Sequence, residues 1–160
     1  MTEPAYRIIE WLARVHGQPR KAEAEWQAQG VALLPMGDRL SAIRLRGELV
    51  HAACGTDDPG QVAAALAELL DGAVIRDRPP ADVTYYALIE AHAGLVWDRE
   101  DHAPCLGDGF YLGVPALHRL APPGPYWVLP PRRESDLCRP QAVRDLIATG
   151  LERLHPAECR

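Results

Sequence analysis

The side chains in this sequence best placed to do chemistry are arginines. Arg44 and Arg46 alternate along one apolar run, and Arg132 and Arg133 follow directly on another that contains Tyr126. A guanidinium presents a planar fork of N–H donors that matches a carboxylate or a phosphate. Arg44, Arg46, Arg132 and Arg133, with Arg76 and Arg78 in support, are therefore read as candidates to line an anionic binding site, and Tyr126 as an aromatic contact for a partner. Asp98, Glu100, Asp101 and His102 are spaced closely enough to offer oxygen ligands to Mg²⁺ or Mn²⁺, although a solvated loop explains the same composition. Asp108, between Gly107 and Gly109, suits a turn as well as it suits a base. Cys54, Cys105, Cys138 and Cys159 are far apart and include no C-x-x-C, so they read as reduced thiols and not as zinc ligands. The chain holds no G-x-x-x-x-G-K-[S/T], no G-x-G-x-x-G, no H-E-x-x-H and no G-x-S-x-G. A glycine phosphate cradle and a serine-hydrolase elbow are thereby set aside. No catalytic residue, metal or cofactor is assigned.

Composition narrows the possibilities further. The 160 residues carry a formal net charge of −5, which argues against a broad nucleic-acid face while leaving room for a small basic patch. Lys21 is the lone lysine among 17 basic residues, and there are 15 prolines. That bias reads as the imprint of a GC-rich genome, so arginine richness alone is not a sign of phosphate recognition. With 48% hydrophobic and 24% charged residues, the chain has the make-up of a soluble globular domain. It has no apolar run near the roughly 18 residues a membrane span needs, and no basic end followed by an apolar core. A cytoplasmic protein is expected.

The elements that must hold these residues follow from periodicity. Ile8, Leu12 and Val15 predict a helix ending near Gly17, and Pro19 opens a second one, anchored by Trp26 and stopped at Gly30. Residues 31–35 read as a buried strand and 40–50 as a second strand, joined across 36–39 as an antiparallel hairpin. Asp58-Pro59 caps a helix with Val62, Leu66, Leu69 and Leu70 on one stripe and Gly72 as its left-handed terminator. Strands are expected at 73–75 and 84–89, and a loop at 97–102. Two aromatic strands, 110–114 and 126–130, are expected as neighbours, with Trp127 and Leu129 inward and Tyr126 outward. A final helix carries Val143, Leu146, Ile147, Leu151 and Leu154. The whole predicts a single α+β domain over 1–160: a mostly antiparallel sheet of about five to six strands with helices on its faces. Residues 1–29 form a helical segment packed on the 30–155 core.

Four short motifs carry a family likeness: residues 30–35 (GVALLP), 46–49 (RGEL), 112–115 (LGVP) and 125–131 (PYWVLPP). Together they resemble small actinobacterial proteins related to the N-terminal domain of bifunctional DNA primase/polymerases. The resemblance spans about residues 25–155 and implies an α+β core around an antiparallel sheet. It also implies a strand bearing two carboxylates, in an apolar-x-Asp-x-Asp pattern, to clamp two metal ions. Residues 42–49 are the best positional match, and they carry Arg44 and Arg46 where the acids belong, with Glu48 alone remaining. The Ser-x-His nucleotide-binding element is missing as well. The implied protein is a primase/polymerase-like scaffold without its polymerase site. The expected function is non-enzymatic binding or regulation through a protein partner. The alternatives are a nucleic-acid or nucleotide binder with an Arg-lined groove, and a metal-dependent enzyme built on the 98–102 acids.

Overall fold

The order of elements is α1 (Glu3–Val15), α2 (Pro19–Gln29), β1 (Val31–Pro35), β2 (Leu40–Arg46), α3 (Gly47–Cys54), α4 (Pro59–Leu69), β3 (Val74–Asp77), β4 (Thr84–Glu90), α5 (Ala91–Leu95), β5 (Cys105–Leu106), β6 (Tyr111–Pro115), β7 (Tyr126–Leu129) and α6 (Pro140–Leu154). This is a computed structural model, and it describes residues 2–78 and 82–156. The fold is α+β: a five-stranded antiparallel sheet in the order β5-β2-β4-β3-β7, and a separate two-stranded ribbon, β1-β6.

Side chains leave alternate faces of the large sheet and build two cores. Ile43, Leu45, Tyr85, Ala87, Ile89 and Val74 pack with Leu49, Val62, Leu66, Val143 and Leu146 of α3, α4 and α6. Ala42, Leu88, Ile75 and Trp127 leave the opposite face and pack with Leu12 of α1, Ala22 of α2, and Ala32, Leu34, Leu112 and Val114 of the ribbon. The sheet is therefore a middle layer. That explains the near-continuous apolar run 40–43, which has no solvent face to alternate with.

Local signals in the sequence fix several helices. Thr2 Oγ1 accepts from the Ala5 N–H at the start of α1, and Asp58 Oδ2 accepts from the Gln61 N–H, 3.0 Å away, at the start of α4. Gly30 ends α2 at φ 76°, in the left-handed region that glycine enters freely. Leu66 is fully buried in α4. Gly72 is not the left-handed terminator of α4. That conformation falls on Asp71, at φ 49°. Gly72 is needed for space, because a Cβ there would sit 2.4 Å from the Cys138 amide nitrogen.

Four strand expectations are corrected. β1 and β2 do not form a hairpin: β1 pairs with β6, and β2 lies between β4 and β5. β1 buries Ala32 and Leu34 against the ribbon-side core while Leu33 stays outside, so the chain changes layer within residues 36–39. The run 40–50 is not one strand either, since it turns helical at Gly47. Finally, the two aromatic strands are not neighbours. β6 joins the ribbon, and β7 is the edge of the large sheet, on β3. Trp127 is buried as expected, 1% exposed, and its indole N–H donates to the Pro115 carbonyl at 3.0 Å. Leu129 does not share its face. Val74 and Ile75 are consecutive on β3 but pair with Leu129 and Trp127, so Val128 is an extra residue in a β-bulge. The bulge turns Trp127 toward one core and Leu129 toward the other.

Candidate functional site

The structure separates the arginines that the sequence suggested as one site. Arg44 and Arg46 are exposed on β2, and Arg46 is ion-paired to Glu48. Arg132 and Arg133 follow β7, with β4 and β3 lying between them and β2. Arg132 is already engaged by two carboxylates. Its Nε donates to Asp136 Oδ2 at 2.9 Å, and its Nη2 donates to Asp71 Oδ1 at 2.9 Å and to Asp136 Oδ1 at 3.2 Å. Arg133 stands 3.7 Å from Asp136. Asp136 is 1% exposed. Burial raises its carboxyl, but the Arg132 guanidinium and backbone N–H outweigh burial and hold it below the usual carboxylate range. This knot ties the end of β7 to the start of β3.

The arginine beside Tyr126, in contrast, is paired with no carboxylate among the described residues. The register sets Tyr126 of β7, Arg76 of β3 and Tyr85 of β4 side by side, on the face that also carries Val74. The Arg76 guanidinium carbon lies 5.7 Å from the Tyr85 ring centroid and 6.0 Å from that of Tyr126, within cation–π range of both. Arg76 is half-buried. Among the described residues it has no ion pair, and its side chain donates no hydrogen bond. His51, on α3, closes the cluster. Its Nε2 shares a 2.9 Å hydrogen bond with the Tyr85 hydroxyl, and the two rings meet edge to face at 5.7 Å.

Burial and the field of Arg76 lower the His51 pKa, with Asp57 opposing, so the imidazole stays neutral at neutral pH. Burial pushes the Tyr85 phenol up to about 12, so it keeps its proton. Cys54 lies one helical turn from His51, and burial raises its thiol in spite of Arg153. The cluster thus offers a fixed cation, a neutral phenol and a neutral imidazole. It holds no activated thiol. Such a set is suited to receiving a carboxylate or phosphate group in the guanidinium fork. Tyr85 and His51 escaped the sequence reading. Their cue is the pairing of a strand ending in Arg76-Asp77 with one opening on Thr84-Tyr85, which only the fold reveals.

The 98–102 acids do not converge. Asp98 bonds Arg144 at 2.8 Å and pairs with Arg99, and Glu100 Oε1 accepts from the Cys105 N–H at 3.2 Å. Among the described residues no three His, Cys, Asp or Glu side chains are grouped to hold a metal ion. Cys54, Cys105 and Cys138 are free thiols, and Cys159 lies outside the described residues. No helix among the described residues is long and apolar enough to cross a membrane. Comparison with known protein families, with curated proteins and with solved structures gave no match.

Proposed function

We propose that this chain is a non-enzymatic binding domain and that Arg76 receives an anionic group, a carboxylate or a phosphate, carried by its partner. The observation that carries the reading is the half-buried Arg76 guanidinium held over two tyrosine rings with no acceptor of its own among the described residues. Withdrawing a cation from water without a counter-charge is costly, and a bound anion offsets that cost. The Tyr85 phenol, pushed up to about 12, keeps its proton and serves as a hydrogen-bonding wall of the site. Arg44 and Arg46 on β2 agree with the reading, since the primase/polymerase family that the sequence motifs resemble would carry metal-clamping carboxylates at those positions. The test is thermal denaturation and calorimetric titration with inorganic phosphate and with succinate. An anion at about 100 times its dissociation constant adds about 2.7 kcal/mol of stability. That gain should vanish in Arg76→Gln. Equal stabilisation of wild type and Arg76→Gln would overturn the reading.

A further inference from the structure

On the other side of the sheet, α1, α2 and the 116–119 connector enclose a groove of about 960 Å³ that is open to solvent along one side. Its size lies in the range of small-molecule sites. Tyr6, Ile9, Trp26 and Leu117 supply apolar walls, and Glu10 and Glu23 supply carboxylates. The walls are fixed in place. The Trp26 indole N–H donates to the Val114 carbonyl at 2.9 Å, and the Ala116 N–H donates to the Gly30 carbonyl at 2.8 Å. Arg119 spans the connector, bonding the carbonyls of Gln29 and Pro123. A site held in this way binds without first having to be ordered.

The charges facing the groove are unequally engaged. Arg119 is committed to backbone carbonyls, and Glu10 stands 3.7 Å from Arg14. Glu23 is half-buried and, among the described residues, has neither ion pair nor hydrogen bond. A partly desolvated carboxylate beside Tyr6 and Trp26 favours a cation, because aromatic faces and a carboxylate attract the same charge. We propose that this groove binds a small organic ammonium, an amine on an aryl or alkyl body, with Glu23 as its counter-ion. The apolar body lies against Ile9, Trp26 and Leu117.

The test uses the ¹⁵N-labelled full chain titrated with phenethylammonium, with phenethyl alcohol and with 3-phenylpropionate. Amide and indole shifts at Tyr6, Trp26 and Ala116 locate the site. The ammonium should bind about tenfold more tightly than the alcohol, the factor expected of one charge-assisted contact, and the carboxylate more weakly than either. Glu23→Gln should bring ammonium and alcohol to within about twofold of each other while leaving alcohol affinity unchanged. Tyr6→Ala, at a position 58% exposed and so outside the core, should weaken the ammonium without altering the fold. Equal binding of the three probes would overturn the proposal, as would shifts that map elsewhere. So would a lysine peptide, acetyl-Phe-Lys-amide, that outcompetes the free amine, because the groove would then belong to a partner's side chain.

Discussion

Arg132 and Arg76 sit near the two ends of one edge strand, and their surroundings are opposite. At the Arg132 end, two carboxylates and a backbone N–H close a knot in which the guanidinium holds the chain together. At the Arg76 end, tyrosine rings fix the guanidinium in place while its donors find no acceptor among the described residues. The same side chain is thus structural where the fold supplies the anion and available for a ligand where it does not. Counting arginines does not separate the two cases. The location of the nearest carboxylate does.

Trp127 lies between the two ends and is the sharpest way to disturb both. Trp127→Ala should cost about 3–5 kcal/mol, because it empties a fully packed site and leaves the Pro115 carbonyl without its donor. Both ends should loosen together in hydrogen exchange. A denaturation midpoint close to wild type would mean that β7 does not couple them. The next effect separates the ends. Asp136→Ala should cost about 1.5–3 kcal/mol through its charged hydrogen bonds, yet leave phosphate binding intact. Arg76→Gln should cost no more than about 1 kcal/mol of cation–π contact. If the Arg76 variant proved the less stable of the two, Arg76 would be the structural arginine and Arg132 the available one.

Acid should separate the ends more gently, through pH. The folded pKa of His51 is depressed from an ordinary value of 6.5, so the unfolded chain takes up its proton first. Its contribution is whole above pH 6.5 and is lost as pH falls through the lower folded value. For Asp136, depressed from 3.8, the same sign holds, and its contribution persists until pH falls below 3.8. The melting temperature should therefore decline in two windows. His51→Gln should remove the upper one, and Asp136→Asn the lower. A decline setting in below pH 6.5 that survives in His51→Gln would assign it to another group.

What the sequence disclosed was local. The Asp58 cap, the Gly30 stop and the burial of Val62, Leu66 and Leu70 depend on residues a few positions apart, and each is where periodicity and capping put it, whereas Leu69, expected on the same stripe, is exposed. What it concealed was pairing. Nothing in 31–50 says that the chain changes layer at Met36, because an apolar run reads alike in a hairpin and in two sheets. The Val128 bulge breaks the alternation that placed Leu129 with Trp127, and no residue type announces it. Tyr126 was legible as a site residue because an aromatic stands out between prolines, and Arg76 as one of several arginines. That these two meet each other, and that Tyr85 and His51 join them, was not, because their meeting depends on three strands and a helix coming into register.

The β1-β6 ribbon has a consequence for how the chain is made. β1 pairs with β6 residue for residue from Val31–Pro115 to Pro35–Tyr111, so every strand of the large sheet except β7 lies between its two halves in the chain. During synthesis from the N-terminus, the VALLP segment leaves the ribosome long before its partner does. It must wait as an apolar extended stretch, the kind of segment that joins foreign strands. Pro35 and Pro115 stand at the two strand ends, where each lacks a backbone donor and discourages extension by an intruder. Nascent chains stalled before residue 111 should accordingly be the ones that most need a chaperone, and release of that need should coincide with emergence of β6.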